Sequence, residues 1–127
     1  MTRQRNDNHS TEFGLWLREQ AEIDSKLGFI ATNVDYVWHN YKTGDWMLLE
    51  EKRHNGGVAR WQRELFDLLD GVCKTHPKYR GFFVIRFEHT SPADGKIFIN
   101  GNVVTCEDFL RFLRFEYAPS VEEKPPF

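Results

Sequence analysis

The chain has 127 residues, 40% of them apolar and including four Trp, four Tyr and eleven Phe, which suits a single domain able to bury its own core. No apolar run reaches the roughly 18 residues a membrane span needs, and the polar start Met1 to Ser10 lacks the core of a secretion signal, so a cytoplasmic protein is expected. A formal charge of -2 excludes a generally basic surface; any nucleic-acid contact must be a local patch offset by acids elsewhere. Cys73 and Cys106 lack metal-finger spacing and read as two reduced thiols.

Residues 1–10 show no apolar periodicity and are expected to be a loose tail. A helix is expected from about Thr11 to Asp24, capped by Ser10 or Thr11, burying Phe13, Trp16, Leu17 and Ala21 and closed by Gly28. Val34–Tyr41 and Trp46–Lys52 then read as strands joined by the turn Lys42-Thr43-Gly44-Asp45. Val58–Val72 reads as a second helix with Trp61, Leu65, Leu68 and Val72 on one side, ending near Gly71 and the His76-Pro77 break. Gly81–Glu88 is a strand, and Lys96–Ile99 and Asn102–Val104 flank the hairpin dipeptide Asn100-Gly101. A last helix over Thr105–Tyr117 opens on the capping pair Thr105/Asp108, and 118–127, with three prolines and acidic residues, is a second tail. The expected fold is a single α/β (α+β) domain over 11–117, a mixed central sheet flanked by helices in the order α-β-β-α-β-β-β-α.

The first hairpin carries the chemistry. Folding it about Thr43-Gly44 sets Asp35 opposite Lys52 and Glu50 opposite Val37, so Asp35, Glu50 and Lys52 share one face. Trp46, Leu48, Val37 and Tyr41 share that face too, which predicts partial burial of the charges, while Glu51 points the other way into solvent. On an exposed hairpin the same residues would form an ordinary cross-strand ion pair. Two carboxylates a few ångströms apart repel unless one takes a proton or a cation lies between them.

An acid on one strand and Glu50-Glu51-Lys52 on the next resemble the PD-(D/E)XK nuclease superfamily, with Asn33-Val34 before Asp35 where that family often has a proline. The resemblance covers roughly residues 11 to 90 as an order of elements and implies a restriction endonuclease-like core. It also implies a Mg²⁺-dependent endonuclease acting on DNA, with Mn²⁺ able to substitute. By that resemblance Asp35, Glu50 and the Glu51 backbone carbonyl hold the metal, and Lys52 stabilises phosphorane charge or orients the attacking water. Members of the family often add a glutamate from the first helix. Glu19 is the preferred candidate and Glu12 the competitor, with Glu22 and Asp24 as outside choices; each also has an ordinary role at a helix terminus or in solvent.

Gln62 is a further candidate, since several such families carry a glutamine on the helix after the acid-lysine strand; it also starts the stripe Gln62, Leu65, Phe66, Leu69, where a boundary role is ordinary. Arg53, His54, Arg60 and Arg63 surround the Gly56-Gly57 loop and form the expected phosphate-contacting patch, against the plain reading of a solvated loop. Val121–Phe127 resembles the acidic, Pro-Phe-ending tails by which single-stranded DNA-binding proteins recruit replication and repair partners. The small size favours a structure-selective or partner-guided enzyme; the resemblance implies a homodimer as one assembly, and an RNA-cleaving role is a third reading. The alternative is a non-catalytic nucleic-acid or protein-binding module on the same scaffold.

Overall fold

The computed structural model describes residues 12–29, 31–53 and 57–119. They fall into two compact units, one ending at Asn33 and the other beginning at Val34. In the first unit helix α1 runs only from Glu12 to Arg18, followed by 3-10 turns at Ala21–Ile23 and Ser25–Leu27. The single helix expected to reach Asp24 is therefore broken. Gln20 is extended, with φ -95° and ψ 113°, and its side-chain amide donates to the Trp16 carbonyl at 3.1 Å, ending the α-helical ladder there. Asp24 accepts the Lys26 N–H at 2.8 Å, and Gly28 at φ +100° closes the second 3-10 turn rather than the helix it was expected to end. No α1 residue is buried, so the expected stripe does not form a core; Phe13 and Trp16 stack on each other at 6.3 Å. Ser10 and Thr11, the expected caps, lie outside the described residues.

The second unit is a five-stranded mixed sheet in sequential order, β1 (Tyr36–His39), β2 (Trp46–Arg53), β3 (Tyr79–Phe87), β4 (Ile97–Ile99) and β5 (Asn102–Val104). Helix α2 (Arg60–Cys73) links β2 to β3, the one parallel pair, and α3 (Cys106–Leu113) follows β5. This is the α-β-β-α-β-β-β-α order read from the sequence. Among the described residues no helix is long and apolar enough to cross a membrane.

Alternation along the strands sorts the apolar residues into two cores, one on each sheet face. Met47, Leu49, Ile85, Phe87, Ile97 and Ile99 pack with Phe109 and Phe112 of α3, while Leu48 and Phe82 pack with Phe66 of α2. Trp38 ties the edge strand to α3 by donating its indole N–H to the Leu113 carbonyl at 2.7 Å.

Helix α2 buries a different face from the expected one. Phe66 is fully buried and Leu69 and Cys73 pack beside it, whereas Trp61, Leu68 and Val72 are exposed. Both stripes have helical spacing; the parallel crossover decides between them by turning the Phe66 side to the sheet, where its ring meets Phe82 at 4.7 Å. The Asn100-Gly101 turn forms with φ +50° and +87°, the pair of positive angles that a tight hairpin demands. Thr105 caps α3 by accepting the Asp108 N–H at 3.0 Å. That helix stops at Leu113 rather than Tyr117, because Phe115 turns left-handed at φ +62° and Glu116 N–H returns to the Arg111 carbonyl at 2.8 Å. Packing continues to Pro119, which is buried.

Candidate functional site

The hairpin that carries the acids closes two residues away from the expected register. Tyr36 pairs with Leu49, Val37 with Leu48 and His39 with Trp46; continuing the ladder by one residue brings Asp35 opposite Glu50, not Lys52. The cause lies in the loop. Asn40 Oδ1 accepts the N–H groups of Lys42 and Thr43 at 2.9 and 3.2 Å, an Asx turn that draws Tyr41 out of the strand, and Asn40 N–H pairs with the Asp45 carbonyl at 2.9 Å. A slip of two residues preserves the side-chain faces, so Glu50 and Lys52 still share theirs with Leu48 and Trp46.

Burial of that face comes from β2 and α2 rather than from β1. Val37 is 66% exposed and Tyr41 81%, so neither covers the charges as expected, yet Glu50 is only 4% exposed. Glu50 follows Leu48 on the side packed by Phe66 and Phe82, which places the carboxylate at the polar border of an apolar cluster. Val34, standing where the resembled family often has proline, packs into the same cluster and anchors the segment entering Asp35.

The acids and the lysine come together. Asp35 Oδ2 accepts the Glu51 backbone N–H at 2.8 Å, and Lys52 Nζ lies 3.3 Å from Glu50 Oε2. Glu50 Oε1 is buried without a hydrogen-bond partner. Burial pushes the Glu50 carboxyl above the ordinary glutamate range, the Asp35 charge adds to that push, and Lys52 and the Asp35 backbone oppose it. Glu51, on the opposite face, is half-buried rather than fully solvated and accepts the Tyr36 hydroxyl at 3.1 Å.

The donor set fits a small, hard divalent cation: one carboxylate just before β1 and one on β2, the latter with a buried oxygen lacking a proton donor and a raised proton affinity. Among the described residues no three His, Cys, Asp or Glu side chains gather into a group that could hold a metal ion. Glu12 and Glu19 belong to the first unit, the trio to the second.

The remaining candidates make contacts of their own. Gln62 Oε1 accepts the Ala59 N–H at 3.3 Å, helping to start α2. Arg60 pairs with Glu64 at 3.7 Å on the exposed side of α2, and Arg63 Nη2 donates to the Val58 carbonyl at 3.4 Å. Arg53 ends β2; His54 and Gly56 lie outside the described residues, as do residues 1–10 and Val121–Phe127.

Sequence reasoning missed Arg86. Strand β3 pairs Glu50 with Val84 and Lys52 with Arg86, so Arg86 shares the face of the trio, with its guanidinium carbon 3.9 Å from the centroid of the Phe98 ring. The signal available was its position as the sole charge in the run Gly81–Phe87. A search against protein-family models, curated proteins and solved structures finds no match to this chain.

Proposed function

We propose that this protein is a Mg²⁺-dependent endonuclease that hydrolyses phosphodiester bonds of DNA by a PD-(D/E)XK-type mechanism, with Mn²⁺ able to substitute. The observation that carries the reading is Glu50, a buried carboxylate with an unpartnered oxygen, facing Asp35 and held 3.3 Å from Lys52. A buried carboxylate with one unpartnered oxygen beside a second acid is expensive for a fold to keep, and such groups concentrate at functional sites. Asp35 and Glu50, with the Glu51 carbonyl, would hold the metal, which when bound supplies Lewis acidity at the phosphate and a more acidic water. Asp35 is oriented by the Glu51 N–H, so its carboxylate is held ready. Lys52 is tethered by Glu50 and points along the same face, where its ammonium offsets charge that develops on the phosphoryl oxygens.

A non-catalytic nucleic-acid or protein-binding module is the second reading. The Lys52–Glu50 contact favours it, since that ion pair already neutralises part of the cluster. The deciding experiment incubates the protein with supercoiled plasmid, branched DNA, single-stranded DNA and RNA in Mg²⁺, Mn²⁺ and EDTA, beside Asp35→Ala and Lys52→Ala. Metal-dependent cutting of DNA that both substitutions abolish is the expected result. Absence of cutting on every substrate, from protein that remains folded, selects the binding module.

A further inference from the structure

We propose that Arg86 is a second phosphate-contacting side chain of this site, gripping the DNA backbone beside Lys52. The inference rests on the nuclease reading and extends it to a residue that the acid-lysine motif does not contain. Parallel pairing sets Arg86 directly alongside Lys52, one strand over on the same face and about 4.8 Å away at the backbone. Both stand in the last two residues of their paired segments, Lys52-Arg53 and Arg86-Phe87. The carboxyl ends of parallel strands are where open α/β sheets bind ligands.

The Arg86 side chain is also held in place. Phe98 is its register partner on β4, and the guanidinium carbon sits 3.9 Å from the centroid of that ring. Stacking occupies the flat face of a guanidinium, whereas its N–H donors radiate from the edge, the geometry with which arginine grips phosphate oxygens.

Charge accounting supports the assignment. Asp35 and Glu50 balance Lys52 and Arg86, so the four side chains are together neutral. With a divalent cation on the two acids the face is net positive, and Arg86 adds one further unit of the sign that a nucleic-acid backbone requires.

The test measures binding of a short fluorescent DNA duplex in Ca²⁺ as a function of salt, together with cutting in Mg²⁺, for wild type, Arg86→Gln, Arg86→Lys and Phe98→Leu. Arg86→Gln is expected to flatten the slope of log affinity against log salt by about 0.9, the signature of one lost phosphate contact. Its cutting should fall by about 10²-fold. Arg86→Lys should restore the salt slope but not full cutting, because a point charge replaces the fork. If Arg86→Gln fails to fold, Phe98→Leu serves: it keeps the cation, removes its platform, and should slow cutting several-fold at an unchanged salt slope. Wild-type binding and cutting that neither Arg86→Gln nor Phe98→Leu alters overturns the role of Arg86 and leaves the nuclease reading standing. A wild type that neither binds nor cuts DNA overturns both.

Discussion

Asp35 stands across the first hairpin from Glu50, its carboxylate taking the Glu51 N–H at 2.8 Å, while burial first and the Asp35 charge second raise the proton affinity of Glu50. The pair therefore links a fold element to a titration and, on the proposed reading, to cation binding, and each can be measured.

The Glu50 carboxyl binds its proton more tightly in the folded chain than in the unfolded one. Its contribution to stability is thus complete below the ordinary glutamate value of about 4.3 and is lost as pH rises through the raised folded-state value. In EDTA, the melting temperature should decline across that window, and Glu50→Gln, which cannot ionise, should flatten the decline. A wild-type melting profile parallel to that of Glu50→Gln would contradict the assignment.

Divalent metal should counter that loss. At a Mg²⁺ concentration 100 times the dissociation constant, linkage adds about 2.7 kcal/mol of stability to the wild type. Differential scanning calorimetry should show the rise in wild type and not in Asp35→Asn or Glu50→Gln. An equal rise in all three would place the cation elsewhere.

Asn40 sets the register through two side-chain hydrogen bonds in the loop. Asn40→Ala should lower the unfolding free energy by about 1 kcal/mol, read from denaturant midpoints at constant m-value. Cutting should fall with it, because the loop holds Asp35 opposite Glu50.

Phe66 is the fully buried anchor of α2 on the sheet face that carries Glu50. Phe66→Ala should cost about 3 to 5 kcal/mol, whereas Leu68→Ala on the exposed side should cost less than about 1 kcal/mol. Chemical denaturation of the two variants separates the buried stripe from the outer one.

The order of elements was legible in the sequence because its signals are local. Asn100-Gly101 takes its two positive φ angles, Thr105 caps α3, and apolar runs of strand length become strands. The common face of Glu50 and Lys52 was legible for the same reason: alternation along one strand needs no partner.

Tertiary structure decided the rest. The register of β1 on β2 depended on the Asn40 side chain, and a turn centred one residue too far along predicted the right face but the wrong opposite residue for Asp35. Helix α2 carries two stripes of helical spacing, and only docking on Leu48 and Phe82 selected the one containing Phe66. Arg86 joined Lys52 through a parallel pairing whose register no short turn encodes, since a 14-residue helix separates the strands. Sequence by itself determined which side chains could share a strand face; contacts between distant segments determined which of them meet, and how deeply Glu50 is buried when they do.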